Sequence, residues 1–255
     1  MIKIWKFTLF FLFCLVLALG LNVPLTHLLP WVKLPDTIQL SGVDGTLIEG
    51  RVEQVLVNRF PLNGVQYRYL PSCIPQLKLC YRIDYDQGHL RVAYDLLNGD
   101  TEVTNTEIDY PVAALLAHLP NPLVKPVGSL QLVIRELSLV QGKPVSFDGL
   151  LIWRNLGIDD SGIKIDIGDY QLEVSGKSPK YDLKLSDLDA SLDVKGDGEL
   201  SAGGVYNIDI AISSDLGIDP QVKSVLELIA KKTGHDKYRI QHSGRLPPQI
   251  ASQLF

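Results

Sequence analysis

The chain carries five histidines, His27, His89, His118, His235 and His242, and a hydrolase would need one of them beside a nucleophile and an orienting group. Their contexts offer no such set. His27 lies just before Leu28, Leu29 and Pro30, and His118 stands shortly before Pro120. The other histidines fall among turn and strand residues. There is no Gly-x-Ser-x-Gly elbow, and no two histidines have the spacing of a His-Glu-x-x-His helix.

The acidic run Asp187, Asp189, Asp193, Asp197 and Glu199 is dense enough to suggest a hard cation. A calcium loop needs oxygen ligands at its first, third and fifth positions, glycine at the sixth and glutamate at the twelfth. Counted from Asp187, the fifth position is Ser191 and the sixth is Leu192, so the pattern fails. The run reads instead as strand, turn and strand, with the carboxylates on the wet side. Gly42-Val-Asp-Gly-Thr46 has too few glycines for a phosphate loop. No catalytic residue, no cofactor and no metal site is expected, and the chain does not read as an enzyme.

Cys73 and Cys80 bracket the sequence Cys-Ile-Pro-Gln-Leu-Lys-Leu-Cys. No histidine cluster or second cysteine pair completes a tetrahedral zinc set. In an oxidising compartment the two should form a local disulfide that pins a turn. Closing so short a loop stabilises by about 2.5 kcal/mol at most. Cys14 lies in an apolar run and reads as a small apolar residue.

The elements that hold these residues alternate with period two. Val65, Tyr67 and Tyr69 alternate with Gln66 and Arg68. Leu77, Leu79, Tyr81, Ile83 and Tyr85 form a second such set, and Leu90, Val92, Tyr94 and Leu96 a third. The theme returns in 130–135, 145–153, 163–167, 170–174, 181–185, 205–212 and 238–246. Gln87-Gly88 and Asn98-Gly99 supply turns, as do Gly142, Gly162, Gly168, Gly176, Gly196 and Gly198. Strands with one dry and one wet face, joined by tight turns, predict a mainly β fold. The expected form is antiparallel: a curled sheet, a sandwich or a partly open barrel. Two short helices are predicted, one from Asp109 to Pro120 and one from Pro220 to Lys232. Asp219 would cap the second, and Val222, Val225, Leu226 and Ile229 would share its apolar face. The prolines from Pro120 to Pro126 suggest two halves, 37–120 and 127–255.

The chain of 255 residues is 46% hydrophobic and 21% charged, with a net charge of −5 and a pI near 5.5. That balance argues against nucleic acid and against electrostatic docking on an anionic bilayer. Phe7 to Leu21 contains no charged or amide side chain. With its flanks it supplies the roughly 20 residues of a membrane helix. Lys3 and Lys6 precede it and the next cation is Lys33, so residues 1–6 should be cytoplasmic and the remainder exported. The reading is an anchor over 7–25, a neck over 26–36 and a periplasmic domain over 37–255. Trp5 and Trp31 are its interfacial anchors. A signal peptide cut after Gly20, with Ala18 at the −3 position, is the competing reading.

Three stretches carry a resemblance: Leu40-Ser-Gly-Val-Asp-Gly-Thr-Leu-Ile-Glu-Gly50, Gly64-Val-Gln-Tyr-Arg-Tyr69 and Tyr238-Arg-Ile-Gln-His-Ser-Gly-Arg-Leu246. With the N-terminal apolar run, they resemble the type II secretion system protein N family, which usually carries tryptophan where Ile48 stands. The resemblance implies a single-span inner-membrane protein whose large periplasmic domain assists export of folded proteins across the outer membrane. It implies a structural adaptor whose partners are the inner membrane and other secretion-system proteins, with no catalytic residues to carry over. The chain is also distantly similar to periplasmic β-sheet proteins that carry lipid along an apolar groove, so a lipid ligand is the alternative.

Overall fold

The computed structural model describes residues 8, 11, 12, 15, 22–31, 38–57, 60–112, 126–160, 163–215 and 217–246. The chain divides into two compact units, Met1–Ala93 and Tyr94–Phe255. The expected junction of halves at 120–127 falls almost entirely outside the described residues.

The first unit opens on a single helical turn, α1 (Leu25–Leu28), followed by a 3-10 turn at Leu29–Trp31. The strands β1 (Ile38–Gly45), β2 (Glu49–Val57), β3 (Phe60–Tyr69), β4 (Lys78–Tyr85) and β5 (Gly88–Asp95) then follow, β5 ending in the second unit. They lie side by side in sequence order, with β1–β2, β2–β3 and β3–β4 antiparallel.

The second unit holds β6 (Thr101–Pro111), β7 (Pro126–Val140), β8 (Lys143–Asp160), β9 (Ile163–Lys177), β10 (Lys180–Ala190), β11 (Asp193–Ser201) and β12 (Val205–Ser213). After them come α2 (Pro220–Ile229), β13 (Lys231–Gly234) and β14 (Lys237–Arg245). The order runs β6 to β12 and then β14 and β13. In neither unit does the last strand return to pair with the first. The fold is an open, mainly antiparallel sheet with few short helices, and among the described residues no closed barrel forms.

Several expectations need correction. Asp109, Tyr110 and Pro111, the expected start of a helix, belong to strand β6, where they pair with Gln131, Leu130 and Ser129. Residues 113–120 of that helix lie outside the described set. The second helix stops at Ile229, because Lys231 and Lys232 turn back as β13 to pair with β14. Ile229 is consequently 60% exposed, while Leu226 is buried. Gly168 sits inside β9, and Gly196 and Gly198 sit inside β11.

The expected membrane span, 7–25, lies mostly outside the described residues. Within it Thr8, Phe11, Leu12 and Leu15 are helical, and Phe11, Leu12 and Leu15 are exposed. Among the described residues no helix is long and apolar enough to cross a membrane.

Candidate functional site

Pairing in the second unit lines up apolar residues strand after strand. One row joins Ile108, Leu132, Leu151, Leu172, Leu185, Gly196, Ile210 and Ile240. The next joins Thr106, Ile134, Gly149, Val174, Leu183, Gly198, Ile208 and His242. A third carries Phe147, Gly176, Tyr181, Leu200 and Tyr206. At about 4.8 Å between strands, the full rows are about 34 Å long. The glycines let neighbouring strands crowd together on this face. A Cβ at Gly196 would stand 3.0 Å from Ile210 Cγ1 and 3.2 Å from Leu185 Cβ, so the β10 and β12 side chains meet over β11.

Among the described residues, one end of this face is covered. There α2 packs Leu226 and Val222 against Tyr170, Leu192, Val194, Ile212 and Tyr238, which form the core. Away from α2, Leu132, Leu151, Leu172, Leu183 and Ile208 remain half-buried. Among the described residues no second sheet of the unit is stacked on them, as a sandwich would require.

Tyr170 is anchored in that core, its hydroxyl 3.2 Å from the Ile167 carbonyl and 3.4 Å from that of Leu192. Burial, reinforced by the nearby Asp187 and Asp193, pushes the Tyr170 hydroxyl up to about 12. Between the ordinary tyrosine value near 10 and this raised one, the unfolded chain loses a proton that the folded chain keeps. The contribution to stability is therefore intact below about pH 10 and lost as pH rises toward 12. Tyr170→Phe should weaken the alkaline fall in stability, measured as the urea midpoint at successive pH values.

The opposite face is mostly polar. Arg135 reaches Asp148 at 2.6 Å and Glu173 at 3.3 Å, and Lys180 reaches Glu199 at 2.8 Å. Arg239 binds Asp209 through two nitrogens, and Gln241 adds a 2.9 Å hydrogen bond. These donors hold the Asp209 carboxyl down at about 2, although exposed pairs of this kind add little stability. A depression of about 500 Å³ on this face is lined by Asp182, Asp197, Glu199, Asp209 and Gln241 among others. Among the described residues no set of histidine, cysteine, aspartate or glutamate could hold a metal ion. The acidic run is spread along strands and turn, where Asp187 accepts a hydrogen bond from the Val194 amide at 2.9 Å.

In the first unit, the stretch Gly42–Gly50 is a hairpin braced by tyrosines. The Tyr67 hydroxyl donates to the Thr46 carbonyl at 2.6 Å, and the Tyr81 hydroxyl to that of Leu47 at 3.1 Å. The Tyr69 amide donates to the Ile48 carbonyl at 2.6 Å. Next to this tip, a 3-10 turn at Pro71–Gln76 is tied to β4 by Cys73 and Cys80, whose sulfurs are 2.00 Å apart. Both cysteines are buried. Cys73→Ser with Cys80→Ser should lower stability by about 2.5 kcal/mol, the loop-closure value. Chemical denaturation with and without reductant measures it, and thiols free to alkylation in the unreduced protein would contradict the pairing.

Among the described residues the histidines do not come together. His235 pairs with Asp236 at 3.2 Å, and His242 stacks on Tyr206 at 5.7 Å between ring centres. His27 lies 3.5 Å from the Thr26 hydroxyl, and His118 lies outside the described residues. Of the expected anchor flanks, Trp31 is 86% exposed, while Lys3, Trp5 and Lys6 lie outside the described residues. The hydroxyl–carbonyl bracing of the hairpin escaped sequence reasoning. Its signal was tyrosine in the two strands that follow the hairpin, Tyr67 opposite Gly50 in β3 and Tyr81 in β4.

Comparison with known proteins agrees with these features. The family model of type II secretion system (T2SS) protein N matches residues 36–241. The type II secretion system protein N of Aeromonas hydrophila is 24% identical over 224 residues, covering 83% of this chain and 86% of that protein. No solved structure matches. The family match takes in strands β1 to β13 and most of β14, with the braced hairpin and the long apolar rows, and the chain belongs to the type II secretion system protein N family.

Proposed function

We propose that the chain is a bitopic inner-membrane component of the type II secretion system, acting as a structural adaptor in the export of folded proteins. Residues 1–6 lie in the cytoplasm, 7–25 span the membrane, 26–36 form a neck and 37–255 stand in the periplasm. The observation that carries this reading is the family match over 36–241, which takes in both units and leaves the apolar N-terminal run ahead of it. Lys3 and Lys6 before that run, and no further cation until Lys33, support the orientation. A periplasm-dependent reporter fused after Phe255 should be active, and the protein should stay with membranes through a carbonate wash. Release into the soluble periplasm would mean that the segment is cleaved near Ala18 and Gly20.

The apolar face of the second unit, which the described residues cover only beside α2, favours a second reading, binding or transport of lipid. An open apolar surface of this extent is larger than a monomer ordinarily leaves bare. A deletion strain separates the two readings when measured for export and for outer-membrane lipid asymmetry. Exported enzymes held in the periplasm support the adaptor. Normal export with disturbed lipid asymmetry replaces it with lipid transport.

A further inference from the structure

At one end of the first unit, four large aliphatic side chains point outward from a rigid frame. Leu47 and Ile48, at the β1–β2 tip, are each 37% exposed. Ile74 and Leu77, on the turn tied by Cys73 and Cys80, are 55% and 51% exposed. Tip and turn share an end of the sheet, because the Tyr69 amide bonds the Ile48 carbonyl and the Leu70 amide that follows bonds the Cys80 carbonyl at 2.8 Å.

The backbone beneath these side chains is already satisfied. The carbonyls of Thr46, Leu47 and Ile48 each accept a bond from β3 or β4, and that of Glu49 accepts one from the Thr46 amide. Leu77 adopts a left-handed conformation, φ 55°, which bulky residues rarely take. Its amide is held by the Ile74 carbonyl at 2.9 Å. Pro71 and Pro75 stiffen the same turn. An exposed leucine kept in an unfavoured conformation, beside a covalent tie, points to a surface shaped for contact.

We propose that Leu47, Ile48, Ile74 and Leu77 form a preformed docking tip for an apolar cleft on another protein of the secretion assembly, an inference that rests on the chain's place in that system. With the Thr46 to Glu49 carbonyls and the Thr46 and Ile48 amides paired internally, recognition passes through side chains, and strand addition at the tip has little to offer. Ordering costs on binding are small, because the frame is set beforehand. The neighbouring charges argue against a bilayer as the occupant. Arg51 pairs with Asp44 at 3.7 Å, Arg68 with Glu49 at 3.6 Å and Arg82 with Asp84 at 3.1 Å, so these cations are matched within the chain. An anionic membrane surface would gain little from them.

The test uses the full chain, restored to a deletion strain at its natural level. Ile74→Asp with Leu77→Asp should reduce export of the secreted enzymes at least tenfold. The variant should meanwhile resist limited proteolysis as the parent does, which shows that the unit is folded. If the double variant fails that check, Ile74→Ser alone takes its place. A photo-crosslinking benzoylphenylalanine in place of Ile48 should yield an adduct with a secretion-system protein, identified by mass spectrometry, that disappears in the Ile74/Leu77 variant. The same crosslinker in place of the exposed Lys184 serves as the control. A folded variant that restores export fully overturns the docking tip, and so does crosslinking to lipid alone. A deletion strain that exports normally overturns the secretion role itself, a different result from the first two.

Discussion

Gly50→Ala should destabilise the first unit by about 2–4 kcal/mol, combining the cost of overpacking with that of a lost hydrogen bond. A Cβ at position 50 would stand 2.3 Å from the Tyr67 hydroxyl and 2.4 Å from the Asp44 carbonyl oxygen. The tyrosine could swing away, but only by abandoning the Thr46 carbonyl it now holds. The Asp44 oxygen is backbone, fixed by the β1–β2 pairing of Gly45 with Gly50. Combining Gly50→Ala with Tyr67→Phe removes the hydroxyl but keeps the ring carbon Cζ, 2.7 Å from the new Cβ, and the Asp44 oxygen, so the double variant should regain only part of the loss. Urea unfolding of the parent and both variants measures this. A Gly50→Ala protein as stable as the parent would show that the hairpin relaxes freely.

Leu226→Ala should cost about 3 kcal/mol, within the range for truncating a buried leucine. Leu226 is 6% exposed and packs α2 into the core formed with Tyr170, Val194, Ile212 and Tyr238. In a unit of this size, the loss should lower the midpoint of thermal unfolding by roughly 6–12 °C. Two positions along the same helix, Leu228 is 86% exposed, and Leu228→Ala should change stability by no more than about 0.5 kcal/mol. Equal effects at the two positions would mean that α2 does not cover the sheet through Leu226.

The sequence disclosed strands where one face is wet and the other is filled by large side chains. Tyr67 and Tyr69 in β3, Leu79 to Tyr85 in β4 and Tyr206 to Ile212 in β12 were all legible for that reason. Strand β11 was not, because Gly196 and Gly198 occupy its dry positions and left no apolar period to read. In β6, Asn105 takes φ 49° and breaks the alternation, so Val103, Thr106 and Ile108 show no regular spacing. In β1, Gly42 does the same at φ 65°, with the Glu53 side chain lying across it. The apolar face was foreseen as a face, but what covers it was not. Strand periodicity reports that one side avoids water and carries no information on whether a second layer supplies the cover.

The strand order has a consequence for how the chain folds. From β6 to β12 each strand pairs with the next one along the sequence, and only β13 and β14 exchange places. Contacts are therefore made between segments close in the chain, which keeps the loop-closure entropy of each step small and favours fast folding. Each hairpin also offers a finished edge to the one that follows, so the sheet can grow from its first strands as the chain is made. A hairpin inserted between β6 and β8 would lengthen the apolar rows by two strands and leave the α2 core residues on β9, β11, β12 and β14 in place. Length is then a property that evolution can adjust in hairpin steps, much as repeat proteins adjust theirs.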